Sequence, residues 1–160
     1  LGTGSGAISI SIAQENKDCF IFATDISIKS ILVAKQNAAK FCSENIIFLN
    51  HDWNNEWLFP QVDYLISNPP YVDKEATTGK EEGIWHEPEI ALFSKDKGLS
   101  DLKLILSKGK NFLNENGKVY LEHAPNQYEE LNKFAMENGY LNFSNLNDLN
   151  GDKRVSIYQC

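Results

Sequence analysis

The sequence predicts an α/β domain built on a mostly parallel sheet with helices on both faces. Three observations predict it. Short apolar runs alternate along the chain with segments of helical length and pattern. A glycine-rich turn, Gly2-Thr3-Gly4-Ser5-Gly6, opens directly into the first of those helices. Asp25, Asp52 and Asn68 each follow an apolar run at its carboxyl end, which is where open parallel sheets bind ligands. Three such positions in register are expected to converge on one crevice.

The elements follow in order. Ala7 to Ala13 is expected to be helical, with Ile8, Ile10 and Ile12 among small residues. Cys19-Phe20-Ile21-Phe22-Ala23-Thr24 is a buried strand ending at Asp25. Ser27 caps a helix to about Phe41, with Ile28, Ile31, Leu32 and Ala34 on one face. Ile46 to Leu49 is a second strand and Val62 to Ser67 a third. Asp73 to Gly83 is polar and reads as a mobile loop. Leu99 to Leu113 reads as a helix, Gly117 introduces a strand from Lys118 to Glu122, and Tyr128 to Glu137 is helical. Tyr140 to Leu146 and Arg154 to Tyr158 have no helix between them and are expected to form an antiparallel hairpin.

At 160 residues the chain is the size of one domain, and 42% hydrophobic with 23% charged residues is ordinary for a globular protein. A net charge of -7 argues against affinity drawn from nucleic-acid phosphates. No apolar run approaches the roughly 18 residues of a membrane span, and no secretory signal opens the chain. Cys19, Cys42 and Cys160 are widely spaced, with no zinc-ligand pattern. A reducing, cytoplasmic setting without disulfides or metal is therefore expected. The chain begins at Leu1, straight into a turn that normally follows a strand. A preceding segment, including the first sheet strand, is expected to be missing from it.

The glycine turn permits positive φ and close approach of a ligand, and the helix behind it offers free N–H groups to a carboxylate or phosphate. Asp25 lies about 20 residues on, the spacing at which a carboxylate reaches ribose hydroxyls; the alternative is a helix cap beside Ser27. Together they point to a nucleoside cofactor. They do not separate a nicotinamide cofactor from S-adenosylmethionine, although the spacing departs from GxGxxG. Asp52 can accept from an exocyclic amine, and Trp53 can pack on an adenine ring or simply cover the sheet edge.

Asn68-Pro69-Pro70-Tyr71 is the sharpest signal. The prolines fix the backbone and remove two N–H donors. The Asn68 side-chain oxygen and the Pro69 carbonyl can then face one spot, which suits an NH2 group with two protons to give. Tyr71 adds a flat face. A planar amine is a poor nucleophile, and holding both its protons frees the lone pair toward an electrophilic methyl. The alternative is a rigid turn after a strand.

These residues carry a resemblance. The chain resembles the catalytic domain of the HemK/PrmC family, the glutamine N5-methyltransferases of peptide-chain release factors. The resemblance runs from Leu1 to Ile8 through Asp25, Asp52-Trp53 and Ser67 to Val72. It continues at Glu87-Pro88-Glu89-Ile90-Ala91-Leu92, Gly98-Leu99 and Leu121-Glu122-His123. It implies a Rossmann-like, seven-stranded S-adenosylmethionine-dependent methyltransferase domain over residues 1–160, lacking the family's N-terminal release-factor-docking domain. It implies that Gly2, Thr3, Gly4, Ser5, Gly6, Asp25, Asp52, Trp53 and Asn68 hold S-adenosylmethionine. It implies that Asn68, Pro69, Pro70, Tyr71 and Glu87 receive the glutamine of a Gly-Gly-Gln loop, with Asn68, Pro69 and Tyr71 catalytic. A release factor is the expected partner, with no membrane and no nucleic-acid substrate.

Asn-Pro-Pro-Tyr also occurs in adenine N6-methyltransferases, so a ribosomal protein or an RNA or DNA adenine remains an alternative substrate. A non-catalytic cofactor-binding module is the alternative outside enzymes. His51, His86 and His123 invite a general-base role, which the displacement does not need; His123, just after a strand, reads as structural. Glu87-Pro88 either orders the acceptor loop or forms a surface turn.

Overall fold

The structure, a computed structural model, describes residues 1–75 and 88–160 and divides into two units, Leu1–Phe59 and Pro60–Cys160.

In the first unit, the glycine turn leads into α1 (Ala7–Glu15), followed by β1 (Ile21–Asp25), α2 (Ile28–Lys40) and β2 (Ile46–Asn50). β1 and β2 pair in parallel, from Ile21 opposite Ile46 to Asp25 opposite Asn50. α2 buries Ile31, Ala34 and Ala38, a helical stripe against the sheet, while Ile28 and Leu32 are exposed. Ser27 caps it as expected, its Oγ accepting from Ser30 N at 3.2 Å, a bond worth about 1 kcal/mol. α1 runs two residues past its expected end. Of its isoleucines only Ile10 is buried, because a spacing of two residues points side chains to different helix faces. Gly6, at φ +87, must lack a side chain: a Cβ would lie 2.9 Å from Ile10 Cδ1 and 3.1 Å from Ala34 Cβ. Trp57 and Phe59 stack at 5.4 Å and are buried.

The second unit carries a four-stranded sheet in the order β3-β6-β8-β7, with β3 Val62–Ser67, β6 Leu113–Glu122, β7 Asn142–Asn147 and β8 Lys153–Gln159. β3 and β6 are parallel; β6 with β8 and β8 with β7 are antiparallel, so the expected closing hairpin is present. A short parallel bridge joins β4 (Val72–Asp73) to β5 (Phe93–Ser94), with the single turn α3 (Glu89–Leu92) before it. α4 (Ser100–Gly109) and α5 (Tyr128–Glu137) bury Leu102, Ile105, Leu106, Leu131 and Ala135 with Leu65, Val119 and Leu121 of the sheet. Each of these leucines contributes about 2 kcal/mol on burial.

Several boundaries differ from the sequence expectation. β1 starts at Ile21 rather than Cys19, and Phe20 is exposed rather than buried. The helix expected to Leu113 stops at Gly109 and passes through a 3-10 turn, Lys110–Phe112. Lys110 Nζ leaves the helix to bond the carbonyls of Asn138 and Gly139 at 3.0 and 2.8 Å, closing the end of α5. β6 begins at Leu113 rather than Lys118, because it advances five residues while β3 advances two, bulging outward with Asn116 at φ +64. Tyr140 precedes β7; it is buried and donates to the Leu106 carbonyl at 2.8 Å. The start of the expected loop, Asp73, is strand, and residues 76–87 lie outside the described residues.

Asp96, Lys97 and Gly98 are all left-handed, and a Cβ on Gly98 would collide with the Tyr71 carbonyl oxygen. Gly98→Ala is therefore expected to destabilise the chain by about 2–4 kcal/mol. Gly151→Ala, at φ +90 in open space, is expected to cost only about 1 kcal/mol. Urea unfolding of the two variants checks the difference.

Candidate active site

In the first unit, Asp25 ends β1 and is buried. Its Oδ2 accepts from Gly4 N at 2.8 Å and its Oδ1 from Ser27 N at 2.9 Å. The carboxylate thus ties the glycine turn to the head of α2, while Ser27 is the capping residue. Thr3 N donates to the Thr24 carbonyl at 2.8 Å and Asn37 Nδ2 to the Ser5 carbonyl at 2.9 Å, so the turn is pinned along its length. The end of β2 is braced against the same corner: Asn50 Nδ2 and His51 N both reach the Asp25 carbonyl at 2.9 Å.

Asp52 and Trp53 follow β2. Asp52 Oδ1 accepts from both Asn54 N and Asn54 Nδ2 at 2.8 Å, and this bracket holds the carboxylate in place. The half-buried Trp53 indole lies beside Gly2, where a Cβ would come within 3.1 Å of Trp53 Cζ3. Trp57 Nε1 donates to the Trp53 carbonyl at 2.9 Å and fixes the backbone beneath that indole. The unit therefore brings together the glycine turn, Asp25 and Trp53, the residues that the sequence reading expects to hold a nucleoside.

These residues fit such a ligand. Each Asp25 oxygen keeps a lone pair beyond the one backbone N–H it accepts. Around Gly4 nothing lies within 4 Å of the position a Cβ would take, so the turn is open there. The indole offers a flat apolar face.

In the second unit, Asn68 leaves β3 exposed, and among the described residues its carboxamide makes no hydrogen bond. Pro69 and Pro70 are buried and Tyr71 is half-buried. Tyr71 is more than a flat face: its hydroxyl donates to Glu122 Oε1 at 3.0 Å and accepts from Arg154 Nη2 at 2.7 Å. Arg154 also meets Glu122 at 3.5 Å. Burial raises the Tyr71 phenol pKa, Glu122 raises it further, and Arg154 opposes both. The Tyr71 carbonyl accepts from Gln127 Nε2 at 2.9 Å.

Nothing in the sequence pattern marked Arg154 or Gln127; Glu122 stood out only within Leu121-Glu122-His123. Glu87 lies outside the described residues.

His123 is fully buried. Its Nδ1 donates to the Ala124 carbonyl at 2.8 Å, so in the neutral ring Nε2 accepts from Ser156 Oγ, also at 2.8 Å. The residue joins β6 to β8, the structural part expected of it. Among the described residues no group of His, Cys, Asp or Glu could hold a metal ion, and no helix is long and apolar enough to cross a membrane.

Residues 1–87 match the methyltransferase small domain family. The chain is 32% identical over 157 residues to a release factor glutamine methyltransferase of Escherichia coli, covering 98% of this chain and 57% of that protein. It is 37% identical over 160 residues to a bifunctional methyltransferase of Rickettsia felis, covering 99% of this chain and 30% of that protein. The chain thus spans about a third to just over half the length of these curated relatives, and the expected resemblance to the glutamine methyltransferases is borne out. A methyltransferase of Pyrococcus furiosus shares the fold at a TM-score of 0.72 and 19% identity, covering 99% of this chain and 71% of that one. The α/β methyltransferase fold that the resemblance implied is therefore correct, and the described strands form sheets of two, four and two, the four-stranded one mixed rather than mostly parallel.

Burial holds the His123 pKa below its ordinary value of 6.5. The unfolded chain then binds more protons than the folded one, so stability falls as pH drops below about 6.5 toward the folded pKa. His123→Gln is expected to be less stable at pH 7.5 but to lose less on acidification. Thermal unfolding of both proteins between pH 7.5 and 5.5 checks this.

Proposed function

The chain belongs to the methyltransferase small domain family, and from that premise we propose a substrate and a chemistry. It transfers a methyl group from S-adenosylmethionine to the side-chain amide nitrogen (N5) of the glutamine in the Gly-Gly-Gln motif of peptide-chain release factors. The observation that carries this reading is the corner Asn68-Pro69-Pro70-Tyr71, with an exposed Asn68 carboxamide that makes no hydrogen bond among the described residues and the prolines buried behind it. The relatives named release factor glutamine methyltransferase support the same substrate.

When bound, S-adenosylmethionine supplies an electrophilic methyl on a sulfonium. The rest is the work of the chain. Asp25 accepts from the ribose hydroxyls with the lone pairs that Gly4 and Ser27 leave open. Asp52 accepts from the adenine amine and Trp53 packs on the ring. Asn68 Oδ1 and the Pro69 carbonyl accept the two amide protons of the glutamine, and the Tyr71 ring lies against its plane.

Two acceptors on one NH2 group orient the nitrogen and draw electron density toward it. With S-adenosylmethionine held by Asp25, Asp52 and Trp53, its methyl would pass to this nitrogen, the carbon–nitrogen bond forming as the carbon–sulfur bond breaks and S-adenosylhomocysteine leaves. One amide proton then passes to water. Catalysis comes from position and fixed dipoles, with no covalent intermediate on the protein.

Asn68→Ala is expected to lower methyl transfer by about a thousandfold, on the order of losing one fixed polar contact to the reacting group, with S-adenosylmethionine affinity within a few-fold of wild type. Mass spectrometry of a purified release factor, before and after incubation with the enzyme and S-adenosylmethionine, checks the reading. A gain of one methyl on the Gly-Gly-Gln glutamine is expected. A variant with near-normal turnover, or methylation only elsewhere, would show the assignment wrong.

A further inference from the structure

We propose that Glu122, Arg154 and Gln127 are positioning residues of the methyl transfer: they clamp Tyr71 at its hydroxyl and its carbonyl and so hold the diproline corner in its working shape. The inference rests on the reading above and adds residues to it.

The need for a clamp follows from the sequence. Pro69 and Pro70 have no N–H, so two successive residues cannot be tied by backbone donors. The rings fix φ and pack in the interior, but side-chain and backbone donors that hold the corner have to come from the residues beside them. Asn68 is exposed and makes no hydrogen bond among the described residues. Tyr71 is held twice.

Its hydroxyl has one proton to give and lone pairs to receive. The proton goes to Glu122 Oε1 at 3.0 Å and a lone pair takes Arg154 Nη2 at 2.7 Å. Arg154 Cζ also sits 5.3 Å from the Tyr71 ring centroid. Both bonds involve a full charge, and the charges are opposite, so the phenol is held from two sides without a net charge beside it.

At the other end, Gln127 is buried and uses both amide protons. They go to the Tyr71 carbonyl at 2.9 Å and the Lys97 carbonyl at 3.0 Å, while its Oε1 accepts from Ala124 N at 2.9 Å. The reversed amide would set its oxygen against two carbonyls, so the network dictates its orientation. Gln127 thus ties the corner to the left-handed turn before α4 and to the end of β6.

A purely structural part is the competing explanation, and it makes a different forecast. A structural part predicts loss of stability with turnover per folded enzyme unchanged, whereas a positioning part predicts a fall in kcat of the folded enzyme. The Arg154 and Glu122 side chains are 28% and 32% exposed, so the pair contributes modestly to stability. Losing Arg154 is therefore expected to lower the melting temperature by a few degrees at most and to be felt chiefly in the turnover of the folded enzyme.

The test uses the whole enzyme with S-adenosylmethionine and a purified release factor. Arg154→Met is expected to lower kcat roughly tenfold, a modest misplacement of the acceptor, with S-adenosylmethionine affinity and melting temperature near wild type. Arg154→Lys is expected to recover part of that loss. In a Tyr71→Phe background the same Arg154→Met change is expected to cost much less than in wild type, because the hydroxyl it bonds is gone. Full turnover in Arg154→Met, or losses that multiply independently, would overturn the proposal.

A wild-type enzyme that leaves the release factor unmethylated would instead overturn the substrate assignment. The clamp is then read from the Tyr71 phenol titration by NMR. Arg154→Met is expected to move it upward and Glu122→Gln downward, and a titration indifferent to both would overturn the clamp.

Discussion

The second unit depends on one constraint: a corner made of two prolines has fixed φ angles but no N–H donors of its own, so its polar anchors lie on the residues beside it. β3 delivers Asn68 by its parallel pairing with β6, from Tyr64 opposite Lys118 to Ser67 opposite Leu121. Beyond the prolines, the pairing of Val72 with Phe93 sets the exit direction. Between them Tyr71 is bonded at both ends, and the absence of a side chain on Gly98 lets the turn before α4 approach its carbonyl. Buried apolar side chains supply the stability of this unit, but polar bonds to one tyrosine decide the shape of the corner. That division is common in proteins, where packing gives stability and a few satisfied polar groups give uniqueness.

The first unit solves a related problem with a charge. A glycine turn is flexible by composition, and here its N–H groups and carbonyls are bonded to the strand and helix behind it. Asp25 links the two, taking Gly4 N of the turn on one oxygen and Ser27 N at the head of α2 on the other. A carboxylate that already orders the turn can still accept from a ligand, because each oxygen has a further lone pair. In the proposed function the same side chain serves both the architecture of the turn and recognition at it. The acidic residue at the end of β1 is thus explained by its local bonds before any ligand is considered.

What the sequence disclosed and what it hid divide along physical lines. Elements governed by local chemistry were legible: Ser27 caps α2, α5 runs from Tyr128 to Glu137, and β3 from Val62 to Ser67, each as expected. The glycine turn and the Asn-Pro-Pro-Tyr corner were legible because both are backbone devices written in residue type. Elements settled by distant partners were hidden. The helix expected to Leu113 ends early because Lys110 is drawn to the end of α5, and β6 starts early through a bulge whose only local hint is the Asn116-Gly117 pair. Gln127 and Arg154 lie 56 and 83 residues from Tyr71 along the chain. No periodicity links such positions, so the clamp became visible only with the strands in register. Tyr71 itself was found, but for its ring rather than its hydroxyl.

The central claim is that this corner offers two oxygens to one planar nitrogen. A crystal structure of the enzyme with S-adenosylhomocysteine and a Gly-Gly-Gln peptide tests it directly. The glutamine amide nitrogen is expected at about 3 Å from both Asn68 Oδ1 and the Pro69 carbonyl oxygen. A peptide whose glutamine amide bonds to neither oxygen would contradict it.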